Sequence, residues 1–233
     1  MTTFQRARSE EQRAARRAAV LNAAAAMLAE MPVADVTLNE LARRTGLAKS
    51  NVLRYFESRE AVLLELLDDA LREWLDELGP ELRAEVDPAA ATLDRIDRAA
   101  AVLAASLAER PVLCDLIGAQ AAVLERNVSS VVAARYKRAT LAKAAALGAA
   151  IAAVVPEIEQ DSMIVGGVVT LTAGAIWSHS HPSPAMLQAY AADPELAALR
   201  LEFVDTERQL LAVLLTGLAA RRAAAGESAP RPT

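Results

Sequence analysis

Apolar positions recur at three- and four-residue steps along almost the whole chain, and no stretch alternates apolar and polar residues as a half-buried strand does. With alanine and leucine dominating and only 9 glycines in 233 residues, the pattern predicts an all-α protein. The first helix is expected to open at "SEEQ", Ser9 to Gln12, where the Ser hydroxyl and the Gln side chain each satisfy an orphan backbone donor. Its inward face carries Val20, Leu21, Ala24, Met27, Leu28 and Met31. "TLNE" repeats the device: Thr37 caps, Glu40 reaches back, and Val36 staples onto Leu41. That helix ends near Thr45, because Gly46 can take the left-handed conformation that closes it. A third short helix is expected from about 48 to 56, with Leu41, Ala42, Leu47, Val52, Leu53 and Phe56 forming the buried side. Ser58 caps a fourth, long helix that turns Leu63, Leu67, Ala70, Leu71, Trp74 and Leu78 inward and stops at Gly79-Pro80.

Beyond Pro80 the punctuation is proline. Asp87-Pro88 and Asp193-Pro194 each place an N-cap before a proline at the first helical position, while Pro111 and Pro156 break the pattern between them. Further helices are expected at about 88–109, 111–126, 128–154, 160–180, 184–191 and 194–222. This divides the chain into residues 1–60, residues 61–222, and a disordered tail, residues 223–233, with too little to bury. Ser162 to His181 carries no Lys, Arg, Asp or Glu and is long enough to span a bilayer. It is diluted by Gly166, Gly167, Gly174 and several Ser/Thr, follows Glu159 and Asp161, and lacks a flanking Lys/Arg cluster. A fully buried helix in a helical body is expected there, and no membrane partner.

At 54% hydrophobic the chain is rich enough in apolar residues for a sizeable core. Its net charge of −5 is unevenly spread: residues 1–60 hold ten Lys/Arg against seven Asp/Glu, the rest fifteen against twenty-three. A basic N-terminal part on an acidic body points toward a DNA- or membrane-facing role for that part. A single cysteine, Cys114, excludes an intramolecular disulfide and a multi-cysteine zinc site and fits a reducing cytoplasm. The opening "MTTFQRARSEEQRAARR" has charge where a signal peptide needs an apolar run, so a cytoplasmic location is expected.

Two short helices joined through a glycine turn and braced by a preceding helix form the helix-turn-helix pattern. In that geometry the second helix enters the major groove, which places Lys49, Ser50 and Asn51 at the base edges. Lysine can donate to guanine O6 and N7, asparagine can pair with adenine in bidentate fashion, and serine can take either role. Arg54 and Tyr55, a turn later, suit phosphate oxygens, as does Arg59 in the first turn of the fourth helix. The expected partner is double-stranded DNA.

The run "VTLNELARRTGLAKSNVLRYFESREAVLLELL" and its surroundings, residues 10–67, resemble the DNA-binding domain of the tetracycline-repressor family. The resemblance rests on the Thr37 cap, Ala42, Gly46, the Tyr55-Phe56 pair and the "SRE" opening of the fourth helix. It implies a homodimeric all-α transcriptional regulator, with an N-terminal helix-turn-helix domain joined by a long helix to a larger helical domain that dimerises and binds a small molecule. The recognition positions carried over are Lys49, Ser50, Asn51 and Arg54; the phosphate-facing ones are Thr37, Tyr55 and Arg59. The operator is expected to be pseudo-palindromic. Leu53 stands where the family commonly has tyrosine and Ala48 where it commonly has serine, which leaves the operator sequence open.

In the C-terminal part, Leu196, Phe203 and Leu210 repeat at seven-residue spacing with Leu199, Leu214 and Leu218 beside them. Gly166, Gly167, Ala173 and Gly174 let a neighbouring helix approach closely. Together they suggest a dimer interface built from these two helices. Candidates for an apolar or amphipathic effector pocket are Trp74, Cys114, Gln120, Tyr136, Trp177 and His179. His179 and His181 point to different faces of a helix and no cysteine cluster joins them, so no metal is expected. Cys114 with His179 is the one nucleophile–base pair an enzyme could use, but no Gly-rich phosphate loop or nucleophile elbow accompanies it, and no cofactor is expected. A protein-binding adaptor is the remaining alternative; it predicts no salt-dependent affinity for duplex DNA.

Overall fold

The computed structural model describes residues 3–227, with side chains from Glu10 to Ala225. No strand occurs among them. The chain forms α1 (Thr3–Leu28), α2 (Leu38–Thr45), α3 (Lys49–Val52), α4 (Arg59–Glu85), α5 (Thr92–Ala108), α6 (Pro111–Ala119), α7 (Ser130–Ala152), α8 (Ser162–Ser180), α9 (Pro184–Ala192), α10 (Pro194–Ala197) and α11 (Phe203–Glu227). A π-helical turn, Gln120–Leu124, extends α6. Two compact units result: residues up to Ala70 with Ala119–Ala139, and Leu71–Gly118 with the residues from Thr140 on. The division lies ten residues beyond the expected boundary at residue 60 and adds a returning segment to the first unit.

In the first unit, Val20, Ala24 and Met27 of α1 are fully buried, as are Val36, Leu41, Val52, Val62 and Leu63. Leu21, Met31 and Leu47 are only half-buried. The backbone is already helical from Thr3, so Ser9 lies inside α1 and does not start it. Thr37 does cap α2, its hydroxyl accepting from Glu40 N at 3.2 Å, and Ser58 caps α4, accepting from Ala61 N at 3.1 Å. Glu40 does not reach back; its carboxylate is taken by Arg43 and Arg44. Gly46 closes α2 at φ 65°, and a Cβ there would meet nothing within 4 Å, so the backbone angle alone asks for glycine.

The second unit is built around α5, whose Ile96, Ala99, Ala100, Leu103 and Leu107 are fully buried and which packs mainly against α11. Its helices approach closely where side chains vanish. A Cβ on Gly148 would sit 1.9 Å from the Ser162 carbonyl oxygen, and one on Gly166 1.9 Å from that of Ala144, so α7 and α8 cross backbone to backbone. Gly118 and Gly174 do the same for α6 and α8, the Gly118 Cβ falling 3.2 Å from Gly174 O. Gly166 and Gly174 are therefore consumed within the chain, and only Gly167 of the expected interface glycines faces open space.

Four expected boundaries move. α4 does not stop at Gly79-Pro80 but runs through Pro80 to Glu85, because Leu78, Leu82 and Val86 bury on either side and outweigh the one hydrogen bond proline forfeits. The Asp87 side chain does accept from Ala89 N at 2.9 Å, yet it caps only a turn, and α5 starts at Thr92. The expected helix 194–222 is two: α10 ends at Ala197, and α11 begins at Phe203, whose ring meets the Trp177 indole edge-on at 5.0 Å. Leu196 and Phe203 consequently share no helix face. The expected tail begins too early, since Ala223 to Glu227 are helical; residues 228–233 lie outside the described residues.

α8 is not fully buried as expected. Pro156–Ser180 is long and apolar enough to cross a membrane by length and composition, and 39% of its apolar 18-residue stretch is buried within this chain. Ile164 at 59% and Leu171 at 72% exposure stand on its open side.

Candidate nucleic-acid interface

The turn at Gly46 returns the chain through Leu47, whose N–H donates to Ala42 O at 3.0 Å, and α3 starts after Ala48, which offers no side-chain cap. Only one turn of α3 is regular. It tightens into i→i+3 bonds at Arg54 and Tyr55. Val52 and Phe56, one turn apart, point inward and are buried; Lys49, Ser50 and Arg54 are exposed and Asn51 half-buried. Leu53, expected in the core, is 41% exposed, because it follows Val52 by a hundred-degree step around the helix. The structure thus brings Lys49, Ser50, Asn51 and Arg54 together on the outer side of α3 and its following turn. None of these four side chains makes a hydrogen bond or ion pair among the described residues.

The other expected contacts are more committed. The Thr37 hydroxyl serves the α2 cap. Arg59 donates through Nη1 to Ala34 O and Val36 O at 3.2 and 3.0 Å and through Nε to Glu60, and its side chain is 19% exposed. It braces the turn that leads into α2.

Arg17 of α1 was not singled out from the sequence. It donates to both Glu65 carboxylate oxygens, to Tyr55 O at 2.7 Å, and lies 4.2 Å over the Phe56 ring. It ties the end of the recognition turn to α1 and α4. Its signal was legible: Arg17 precedes Val20, Ala24 and Met27 on the inward stripe of α1, where a cation needs a partner. At the other end of α1, Arg44 bridges Glu30 and Glu40, while Arg43 also holds Glu40. Arg43 first, then Arg44, pull the Glu40 carboxyl down to about 2.

The six candidate pocket residues are divided between the two units. Gln120 and Tyr136 belong to the first unit, the others to the second. Tyr136 lines a cleft of about 410 Å³ with Arg17, Leu64, Glu65 and Arg135, and Gln120 donates to Glu125 at 2.8 Å. Trp74 is buried and donates to Ser106 Oγ at 3.1 Å. Trp177 donates to Asp115 at 2.6 Å and carries His181 stacked on it at 3.9 Å, while His179 is exposed. Cys114 is fully buried, its thiol donating to Leu107 O at 3.3 Å, and burial pushes it up to about 12. A thiol so held is a small core hydrophobe and a poor nucleophile.

Residues 20–66 match the family described as bacterial regulatory proteins, tetR family, and residues 68–222 match the tetracyclin repressor-like C-terminal domain. The chain belongs to the tetracycline-repressor family. A transcriptional regulator named EthR from Mycobacterium tuberculosis is 38% identical over 58 residues, 25% of this chain and 27% of that protein. The match thus spans about a quarter of the length of the curated relative. Among solved structures, a TetR transcriptional regulator from Rhodococcus sp. RHA1 aligns over 88% of this chain and 97% of its own, with a TM-score of 0.51 and 16% identity. The fatty acid degradation regulator FadR from Bacillus halodurans aligns over 84% and 94%, with a TM-score of 0.49 and 14% identity. The all-α architecture is that of this family.

Proposed function

We propose that this tetracycline-repressor family member is a sequence-specific DNA-binding transcriptional regulator, a cytoplasmic repressor released from its operator by a small molecule. The observation that carries the reading is the set of uncommitted donors, Lys49, Ser50, Asn51 and Arg54, on a one-turn helix behind the left-handed Gly46. In a folded protein such donors are free for base edges and phosphates. Thr37 and Tyr55 flank them, and Arg59 serves by holding the 33–36 turn in place.

The regulator acts as a homodimer. Ile164, Leu171 and the bare face at Gly167 on α8, with Leu210, Val213 and Gly217 on α11, form two exposed apolar stripes. These replace the heptad expected from Leu196 to Leu210. Two-fold symmetry then sets a pseudo-palindromic operator with half-sites about 34–36 Å apart. An apolar or amphipathic effector bound in the C-terminal domain weakens operator binding through α4, the helix both units share.

Selection of bound duplexes from a random DNA pool tests the reading. Recovery of a two-fold symmetric site supports it; recovery of no preferred duplex by wild-type protein refutes it.

A further inference from the structure

Beside the recognition turn, a cleft of about 410 Å³ is lined by Gln12, Arg13 and Arg16 of α1 and by Arg54 and Tyr55. Arg13 and Arg16 stand at i,i+3 on one side of the helix and are exposed. Between Glu10 and Glu60 the arginines fall into two groups. Arg17, Arg43, Arg44 and Arg59 each have a carboxylate partner. Arg13, Arg16 and Arg54 have no ion pair among the described residues, and these three converge on one cleft that no carboxylate lines. Three unpaired guanidiniums around one concavity repel one another in the free protein. The arrangement becomes favourable when a multivalent anion sits among them, since each planar fork can give two parallel hydrogen bonds to phosphate oxygens.

We propose that this cleft seats a backbone phosphate of the bound duplex, so that α1, through Arg13 and Arg16, is part of the DNA interface. The proposal rests on the reading of the N-terminal unit as a DNA-binding module and adds a site to it. Lys49 to Asn51 lie at the start of α3, and Arg54 and Tyr55 follow its end. The cleft therefore extends the footprint past that end, onto the strand that flanks the groove. Its contacts are to the backbone, which positions the protein without reading sequence.

The test is the salt dependence of binding for the duplex recovered from the random pool and for an unrelated duplex, with wild-type protein, Arg13→Ala/Arg16→Ala and Arg13→Lys/Arg16→Lys. Neither exposed side chain holds the fold, so matching melting curves are expected. The Ala pair should bind both duplexes more weakly, with the slope of log K against log salt shallower by about 0.9 for each phosphate released. Base preference should not change, and the Lys pair should recover most of the slope. An Ala pair with the wild-type slope overturns the phosphate cleft while leaving the DNA-binding reading intact, and so does a shift in base preference at unchanged slope. Wild-type protein that binds neither duplex overturns both.

Discussion

Glu207 gives a sharp test of the second unit's packing. It lies on α11, one turn after Phe203, with no exposed surface, and its Oε1 is 2.9 Å from the Thr172 hydroxyl, while Oε2 has no partner among the described residues. Burial pushes the carboxyl from the ordinary 4.5 up to about 7, with the Thr172 hydroxyl working against it. The neutral form suits the site, since the Thr172 hydroxyl also reaches Val168 O at 3.0 Å and its oxygen can accept the carboxyl proton. A folded-state value above the unfolded one means that the native protein binds the extra proton, so stability falls as pH rises from about 4.5 to about 7 and then levels off. At about 1.4 kcal/mol per pH unit, ionisation costs the fold about 3 kcal/mol by the time the carboxyl is fully charged. Glu207→Gln removes that cost and keeps a donor toward Thr172. Urea unfolding of both proteins at one fixed protein concentration should show the stability of the Gln variant relative to wild type growing by about 2–3 kcal/mol between about pH 5 and about pH 8.5. A difference that stays constant with pH would show that Glu207 is ionised and solvated throughout, refuting the packing described for α8 and α11.

Three further outcomes follow from named contacts. Arg17→Ala strips Glu65 and the Tyr55 carbonyl of their donor and should lower the melting stability of the N-terminal unit by about 1–3 kcal/mol, with Arg17→Lys recovering only part because one ammonium cannot span both; equal stability of Arg17→Ala and wild type would remove the clamp. Gly148→Ala drives a Cβ into a backbone carbonyl and should cost about 1–3 kcal/mol or more in chemical unfolding, whereas Gly79→Ala, whose Cβ meets nothing nearer than Arg83 at 3.5 Å, should gain up to about 1 kcal/mol. Leu171→Glu places a charge at the centre of the proposed α8 stripe and should shift sedimentation at micromolar protein from dimer to monomer, and an unchanged dimer would place the interface elsewhere.

Much of the candidate site could be read in order along the chain. The Thr37 and Ser58 caps, the left-handed Gly46 and the inward Val52 and Phe56 are local features, each set by a few adjacent residues and the period of the helix. The same period, applied one step past the buried Val52, turns Leu53 out of the core. Arg59 shows a different limit. Its type and place at a helix start suit a phosphate, but the carbonyls of Ala34 and Val36, twenty-odd residues earlier, already hold its guanidinium.

By itself, then, the amino-acid sequence determined the helical class, the placement of the helix-turn-helix and the identity of the donors that α3 presents, because propensity, capping and the three-to-four-residue repeat act over one or two turns. Tertiary structure decided what each side chain is free to do. Gly148 and Gly166 became a crossing of α7 and α8, Arg17 a clamp and Glu207 a buried acid only because segments far apart in sequence were brought together. The same holds for Pro80, which reads as a helix stop until Leu78, Leu82 and Val86 find a core to bury in. The free energy of burying those side chains depends on the whole fold, and it exceeds the local preference that proline expresses.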